Sequence, residues 1–533
     1  MTSVRELSSP VDSPPPSKRA KLDVTEEPIG VNDIGEALVE SKHDGHKPKK
    51  HKKSRVKRQN IEPYSHEDVL WHDVKATLGS GAIEAATAQD TDWVSPLPFG
   101  TELELTVSGL TSTGDSISIH STPGGPWAVV VPFALPGERI RTKIYRSSRL
   151  HSFGDLLEVL EPNNTMRDSS LIRCKYFGKC AGCQHQMIPY ATQLLLKEEI
   201  VRKAFQNFSG LPSDSIPVPL GTIPSPKQYN YRTKLTPHFD APPSNKTRRG
   251  GKAMTTAKDG DVNWELRIGF NQMGRRNVLD IEECPIATPV LNAALTPARD
   301  QVRNNIHTYK RGATLLLRDS LQSRSPPCDN TTQVQNEVPI SIASCKDDQG
   351  VEHVCITDSK AVVHERVGEF EFTFPAGQFF QNNNSVLKPL TDYVRDAILH
   401  PIPFEKEGAV VSLPAHASRG YVLWYIAFAQ RNAALNNIPT SKCTFRAGTA
   451  SSIFASVGNG EFPPERTAVV IDPPRKGCDE PFIEQLVAFL PATLVYVSCN
   501  VHTQARDVGS ILRKTQGAEV GPHVESVAVL RLY

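Results

Sequence analysis

The last third of the chain alternates two kinds of apolar segment, and this alternation constrains the fold more than any other feature. The segments "TAVVID" (467–472) and "TLVYVSC" (493–499) have the continuous apolar character of buried strands. The segments "PFIEQLVAFLP" (481–491) and "VHTQARDVGSIL" (501–512) have the apolar spacing of helices. Strands and helices in alternation form parallel sheets that helices cover. The sequence therefore predicts an α/β domain in this region.

Two chemically active side chains end the predicted strands. Asp472 and Cys499 stand at the carboxyl ends of neighbouring parallel strands, where open α/β sheets bind their ligands. The loop "PPRKG" after Asp472 offers Arg475 and Lys476 to a phosphate or a nucleobase, and the helix that follows Cys499 favours a nucleophilic thiolate. Purely structural roles stay open on this pattern alone: Asp472 as a turn cap and Cys499 as a core residue.

The N-terminal part of the chain has a different composition. Residues 1–90 are rich in Pro, Ser, Lys and acidic residues and poor in aromatic ones, so a disordered tail is predicted there. Its basic clusters, at 18–21 and in "KPKKHKKSRVKR" (47–58), suit nuclear localisation, contact with RNA phosphates, or a merely solvated tail. The whole chain has 60 Lys and Arg against 58 Asp and Glu, so its net charge implies no general polyanion-binding field.

No membrane or export signal is visible in the sequence. The chain has no apolar run of 18 or more residues and no apolar core of a signal peptide near its N-terminus. We therefore expect a soluble intracellular protein, in the nucleus, the cytoplasm or both, with the mitochondrion as a further candidate. Its ten cysteines are then expected to be reduced, and to serve structure, metal binding or catalysis.

Two further domains are predicted between the tail and the α/β domain. Residues 91–161 contain short alternating runs separated by turns such as "STPGGP" and "LPGER", a pattern typical of a small OB-like β-barrel. Residues 162–375 mix strands with helices such as "YATQLLLKEEIVRKAFQNF" and carry polar insertions, predicted as surface loops, near 239–262 and 318–350. We expect an α+β central domain here.

The central domain has a cysteine pattern that indicates a metal centre. "CKYFGKCAGC" places Cys174, Cys180 and Cys183 within ten residues, and Cys284 follows in "DIEECPIA". Three clustered thiols with a distant fourth suit an iron–sulfur cluster or zinc. We favour a [4Fe–4S] cluster because the five-residue gap is wider than that of most zinc sites, and the glycines in the motif let the backbone wrap closely around a cluster.

Together these motifs resemble the RNA uracil-5 methyltransferase family, enzymes that use S-adenosylmethionine to make 5-methyluridine in tRNA or ribosomal RNA. The resemblance runs from about residue 99 to the end and is most specific in "IDPPRKG" and "VYVSCN". "VVVPFALPGERI" resembles the family's TRAM barrel, while "YNYRTK", "FPAGQFFQNN" and "GPHVESV" resemble later motifs. The resemblance implies a Rossmann-like methyltransferase domain over 376–533. Its nearest match is a eukaryotic tRNA enzyme that modifies the T-loop uridine at position 54.

The resemblance also implies roles for individual residues. Cys499 would attack C6 of uracil, and Glu525 would later remove the proton from C5. Gln381 and Asp472 would contact the methyl donor, with Asp472 also able to position the base. The four cysteines of the central domain would be the iron–sulfur ligands.

The implied partner is tRNA. Contacts to the RNA would come from four basic residues: Arg232, Lys234, Arg475 and Lys476. We expect the target base to leave its stack before it reacts. No obligate protein partner is evident, so a monomer is expected.

One segment departs from the family pattern. A Gly-rich turn and a strand ending in an acidic residue are expected between 399 and 432, yet no GxG occurs there. Either the gene model is faulty in this segment or donor binding has been lost, and the sequence predicts weak S-adenosylmethionine binding for the chain as written. Loss would leave a catalytically impaired RNA-binding or tRNA-folding protein, while a third reading is an iron–sulfur redox protein.

Overall fold

The computed structural model describes residues 60–216, 218–242, 264–322, 341–399, 410–412, 422–446, 448, 454, 462–515, 519–522 and 526–531. The predicted basic clusters of the N-terminal tail and the predicted base Glu525 lie outside these residues. Most of the segment in which the Gly-rich turn is missing, 400–409 and 413–421, lies outside them too.

Eight α-helices are found in the described parts of the chain. They are α1 His66–Leu78, α2 Ser80–Ala88, α3 Tyr190–Phe208, α4 Pro289–Asn305, α5 Leu387–Leu399, α6 Val422–Leu435, α7 Glu480–Phe489 and α8 Val501–Thr515. Helix α3 coincides with the helix that the sequence predicts. None of the helices in the described ranges combines the length and the apolar character needed to cross a membrane.

Residues 66–88 differ from the sequence prediction, which places a disordered tail over 1–90. They form α1 and α2, and α1 buries Leu70, Trp71 and Val74 in the same core as the first sheet. Ser65 caps α1 by accepting a hydrogen bond from Asp68 N. The short apolar pattern of α1 is diluted when composition is averaged over ninety residues, and this is why the tail prediction extends too far.

The predicted barrel region forms a six-stranded sheet in the order β1-β5-β6-β4-β3-β2. Its pairs are antiparallel except β4 with β6, and no ladder among the described residues joins the edge strands β1 and β2 into a closed barrel. The strands are β1 Glu102–Thr106, β2 Gly109–Leu110, β3 Ser116–Thr122, β4 Gly125–Val131, β5 Arg139–Ser148 and β6 His151–Glu161.

The central region contains two four-stranded sheets and a hairpin. The sheet orders are β10-β9-β8-β11 and β13-β14-β12-β7, and β15 pairs with β16. The strands are β7 Lys234–Leu235, β8 His238–Phe239, β9 Ile268–Asn271, β10 Val278–Asp280, β11 Ala313–Thr314, β12 Leu317–Leu321, β13 Ser344–Lys346, β14 Glu352–Ile356, β15 Val362–Val367 and β16 Phe370–Pro375.

The predicted surface loop at 318–350 is wrong at both ends, because β12 and β13 occupy them. The polar sequence of β12 is buried: Arg318 is fully inaccessible and pairs with Glu365 at 2.8 Å, beside the ring of Phe374. Burial raises the pKa of Glu365 to about 7, although Arg318 acts to lower it. A strand that buries charged side chains as an ion pair has the composition of a loop, so apolar patterning does not detect it.

The C-terminal region is the predicted α/β domain. Its five-stranded sheet has the order β17-β18-β19-β21-β20, with β17, β18 and β19 parallel and β21 antiparallel to β19. The two strands and two helices predicted over 467–512 are confirmed as β18, α7, β19 and α8. The strands are β17 Val410–Ser412, β18 Thr467–Ile471, β19 Thr493–Ser498, β20 Glu519–Pro522 and β21 Ser526–Arg531.

Helices tie the C-terminal sheet to the rest of the protein. Helix α3 packs on α8 so closely that Gly509 touches the carbonyl of Ser209, leaving no room for a larger residue. Asn432 of α6 and Asn436, just after this helix, face the backbone of β16. Each amide donates to a backbone carbonyl of β16 and accepts from the amide of the same residue, at 2.7–3.2 Å. These asparagines substitute for a neighbouring strand and cover the exposed edge.

A buried histidine in the first sheet predicts a loss of stability in acid. Burial lowers the pKa of His151 to about 4, below the ordinary value of 6.5. Between these values the unfolded chain binds the proton and the folded chain does not, so stability falls as the pH falls from 6.5 to 4. Between pH 6.5 and pH 4 the free energy of unfolding of the wild type is expected to fall by about 2 to 3 kcal/mol more than that of His151→Phe, which has no titrating group at this position. Urea unfolding of both proteins at each pH measures the difference.

A matched core variant separates titration from packing. Ile140→Val removes a methylene from the apolar core of the first sheet, and we expect it to lower stability by a similar amount at every pH. Equal pH slopes for the wild type and His151→Phe would contradict the assignment to His151.

Candidate active site

The candidate site lies at the carboxyl edge of the parallel strands β18 and β19. Ile471 pairs with Tyr496, so Asp472 and Cys499, each the first residue after its strand, leave the sheet at the same edge. Both residues are exposed. Among the cysteines that the structure describes, Cys499 is the one with an exposed side chain. The prediction that these residues share an edge is confirmed, and the exposed thiol excludes the alternative of a core cysteine.

A tight turn fixes the position of Cys499. Ser498 Oγ accepts a hydrogen bond from Asn500 N and donates to Asn500 O, both at 3.0 Å. Asn500 Oδ1 then accepts from His502 N at 3.2 Å, so Asn500 caps the first turn of α8. The polar residues on both sides of the thiol therefore set the geometry of the turn.

The loop 473–477, which follows Asp472, is attached to the start of α8. The carbonyl oxygen of Arg475 accepts hydrogen bonds from Asn500 Nδ2 at 2.9 Å and from Thr503 Oγ1 at 3.1 Å. The side chains of Arg475 and Lys476 remain exposed. The backbone of this loop is thus held in place while its two cations face solvent beside Cys499.

Asp507 is the centre of the network beneath this loop. It is fully buried, and its Oδ2 accepts hydrogen bonds from Cys478 N and from the Tyr496 hydroxyl, both at 2.7 Å. Arg506 pairs with Oδ1 at 2.7 Å. Burial raises the pKa of Asp507, while the Cys478 N–H acts to lower it. Asp507 therefore connects strand β19, helix α8 and the end of the loop.

Gln381, Arg232 and Lys234 belong to two segments that lie side by side. Thr233 N donates to Asn382 O at 2.9 Å, which places the "YNYRTK" strand beside the segment that contains half-buried Gln381. Lys234 Nζ donates to the carbonyls of residues 377 and 378 at 3.1 and 3.4 Å, and Arg232 Nε donates to Lys234 O at 3.0 Å. Both basic side chains thus have structural partners, and their predicted contacts with RNA stay predictions.

The four predicted metal ligands line one cavity. Cys174, Cys180, Cys183 and Cys284 surround a space of about 120 Å³ that Arg232 also lines. Burial raises the pKa of Cys284 to about 11 and also raises those of Cys180 and Cys183. The four cysteines therefore line one cavity, and their role as metal ligands stays a prediction. In the described ranges, however, no three His, Cys, Asp or Glu side chains form a group able to hold a metal ion.

Comparisons with known proteins identify the family. The chain is 41% identical over 435 residues to the tRNA (uracil(54)-C(5))-methyltransferase of Schizosaccharomyces pombe, which covers 78% of this chain and 73% of that protein. It is 33% identical over 531 residues to the Saccharomyces cerevisiae protein of the same name, with 89% and 79% covered. The chain belongs to the tRNA (uracil-5)-methyltransferase family.

A relative of lower sequence identity and a solved structure are also similar to the chain. An uncharacterized RNA methyltransferase of Thermosynechococcus vestitus is 25% identical, with 81% of this chain and 98% of that protein covered. The solved structure of the Pyrococcus abyssi tRNA (uracil-54, C5)-methyltransferase with S-adenosyl-L-homocysteine has a TM-score of 0.48 and 17% identity, covering 80% of this chain and 99% of that chain. No protein-family model matches the chain.

The residues that hold the site together in this family member are not among those that the sequence predicts. Asn500, Thr503, Arg506 and Asp507 all belong to the stretch "SCNVHTQARD", directly after the thiol. The available signal was the number of polar residues in the first two turns of a helix that begins at a ligand-binding edge. All four are buried or half-buried, which a solvated helix face does not explain.

Proposed function

We propose that the chain is a tRNA (uracil-5)-methyltransferase that forms 5-methyluridine at position 54 of the T-loop. The observation that carries the proposal is the exposed thiol of Cys499, held by its turn beside Asp472 at the ligand-binding edge, in a chain of this family. The alternative readings, an impaired RNA-binding protein and an iron–sulfur redox protein, assign no role to an exposed thiol in this position.

The chemistry explains the need for a thiol. C5 of uracil is a weak nucleophile, and attack of the Cys499 sulfur on C6 places negative charge on C5 and the adjacent carbonyl. S-adenosylmethionine, when bound, supplies an electrophilic methyl group to C5. Glu525 would then accept the C5 proton, and cleavage of the C6–sulfur bond would restore the ring and the thiol. In support, Ser526, which follows Glu525, pairs with Ser498, which precedes Cys499.

The sheet edge suits the methyl donor. The carboxyl end of β17 lies next to that of β18, so Asp472 stands at the edge where parallel sheets bind nucleotides. Gln381, in the segment between β16 and α5, is the second proposed donor contact. Arg475 and Lys476 would bind RNA phosphates or stabilise charge on the uracil oxygen, because both cations are exposed beside the thiol.

The six-stranded sheet is the proposed TRAM-like platform for tRNA, and one of its faces is a poor candidate. Three basic side chains of β5 are already paired: Arg139 with Glu104 and Glu161, Arg141 with Glu158, and Lys143 with Glu102, at 2.8–3.0 Å. These carboxylates would repel phosphate. RNA would therefore contact another surface of this sheet. Action as a monomer and the cellular location stay predictions from the sequence.

We also propose that the four cysteines bind a [4Fe–4S] cluster. Their cavity is several times larger than the roughly 10–15 Å³ that one water needs, so a single zinc ion would leave most of it empty. Gln186 lines the cavity, and its side-chain amide lies against the Cys183 thiol and acts to lower the pKa of that thiol. Cluster sulfur atoms accept hydrogen bonds from such donors. The cluster would stabilise the segment that carries Arg232. We assign it no role in methyl transfer.

Metal analysis tests the cluster proposal. The anaerobically purified chain is expected to contain iron and acid-labile sulfide, and Cys284→Ser is expected to lose most of both. Cys345→Ser, which changes a half-buried cysteine outside this cavity, should keep them. Zinc without iron in the wild-type protein would support the zinc alternative instead.

Transfer of a labelled methyl group tests the proposed activity. The full chain is incubated with labelled S-adenosylmethionine and a T-loop RNA hairpin, and we expect label at the uridine equivalent to position 54. A hairpin with cytidine at that position is the control and should stay unlabelled. Tight RNA binding without any methylation would contradict the proposal and favour the impaired RNA-binding protein.

A further inference from the structure

The turn that precedes α1 reaches the network beneath the active-site loop. The ring of Tyr64 lies against the guanidinium group of Arg506, 4.8 Å from the guanidinium carbon to the ring centroid. The same ring is 5.7 Å from the ring of Phe208, at the end of α3. Tyr64 therefore connects the start of α1 with the end of α3 and with α8 of the C-terminal domain.

The backbone of Tyr64 is unusual for an aromatic residue. Its φ angle is +63°, in the left-handed region that bulky side chains rarely adopt. Its N–H donates to Asp68 Oδ2 at 2.7 Å, which holds the turn in this conformation. Strained backbone persists where surrounding contacts enforce it, and it is concentrated at functional sites. Here the strained conformation places the ring on Arg506.

Arg506 in turn holds the active-site loop. Its Nη2 donates to Lys476 O at 2.9 Å and to Cys478 O at 3.2 Å, and its Nε donates to Asp507 Oδ1 at 2.7 Å. These bonds all lie at the edge of the planar guanidinium group. Its face is left for an aromatic ring, the arrangement that suits arginine and not lysine.

We propose that Tyr64 is a positioning residue, which fixes Arg506 and through it the backbone at 476–478 beside Cys499. The catalytic part of this inference rests on the proposed methyltransferase function, whereas its structural part does not. Helix α1 remains anchored by Leu70, Trp71 and Val74, so loss of the Tyr64 ring leaves the fold intact.

Hydrogen exchange tests the structural part without RNA or donor. In Tyr64→Leu, which keeps an apolar side chain but lacks a flat ring, the amide of Cys478 is expected to exchange about tenfold faster than in the wild type. Tyr64→Phe should restore slow exchange because it keeps the ring. Tyr309→Leu is the matched control: it removes a half-buried ring that packs on Phe239 and should leave Cys478 unchanged. Unchanged exchange in Tyr64→Leu would overturn the proposal.

Kinetics test the catalytic part. Tyr64→Leu is expected to lower kcat about tenfold with little change in KM for the RNA hairpin, because a displaced loop misplaces the reacting groups and not the whole RNA. Tyr64→Phe should recover kcat. A normal kcat in Tyr64→Leu would overturn the positioning role. So would a fall of kcat in the control Tyr309→Leu as large as the fall in Tyr64→Leu. If the wild type does not methylate RNA while the Cys478 amide exchanges faster in Tyr64→Leu, the proposed function fails. The structural role of Tyr64 in holding Arg506 is then retained.

Discussion

Alanine in place of Cys499 is expected to lower methyl transfer to the T-loop hairpin by about four orders of magnitude or more, the loss typical of a missing catalytic nucleophile. The thiol is exposed and makes no contribution to the core, so the fold and the RNA affinity should not change. The measurement is transfer of labelled methyl groups under single-turnover conditions, with RNA binding followed in parallel. An RNA carrying 5-fluorouridine should form a covalent conjugate with the wild type and none with Cys499→Ala.

The control is a cysteine that is a poor nucleophile. Burial raises the pKa of the Cys345 thiol, which belongs to β13 in the central region, and Cys345→Ala should retain normal transfer. A conjugate that maps to a cysteine other than Cys499, or substantial turnover in Cys499→Ala, would contradict covalent catalysis by this thiol.

The reacting edge could be predicted from the sequence because it depends on local patterns. Alternation of strand and helix fixes the parallel order of β18 and β19, and parallel order places Asp472 and Cys499 at one edge. The exposure of Cys499 could not be derived in this way. It depends on the Ser498–Asn500 turn, whose polar residues are compatible with either a cap or a catalytic loop.

The network beneath the loop could not be predicted because its members are distant in sequence. Arg506 and Asp507 have the appearance of a solvated helix face, and only the folded loop 473–477 shows that Asp507 is buried. Tyr64 lies more than four hundred residues earlier, in a stretch whose average composition indicates disorder. Pairing between such residues is visible only after the helices have packed.

The segment without a Gly-rich turn is described only in part. Strand β17 is parallel to β18, but it ends at Ser412 and the next residues lie outside the described ranges, so the expected strand ending in an acidic residue stays a prediction. Asn432 of α6 and Asn436, just after this helix, bind the edge of β16, which no sequence pattern indicated. Weak donor binding stays a prediction, because most of this segment falls outside the described residues.

Alanine in place of Gly477 is expected to lower kcat about a hundredfold or more. Gly477 has φ +77°, and an added Cβ would lie 2.5 Å from both Arg506 Nη2 and Asp507 Oδ2. The left-handed backbone alone costs about 1–2 kcal/mol for an alanine. The contact is more damaging, since Asp507 is buried and relief of the clash requires the loop to move away from α8.

A second glycine separates these two effects. Gly350 has φ +76° in an exposed turn, with no atom within 4 Å of an added Cβ, so Gly350→Ala has only the backbone cost. We expect Gly350→Ala to lower the unfolding temperature slightly and to keep kcat, while Gly477→Ala loses kcat by far more than its stability change explains. Displacement of a catalytic loop by about 1 Å suffices for a loss of this size. Equal kcat in the two variants would show that the loop tolerates displacement, and that the network on Asp507 serves stability alone.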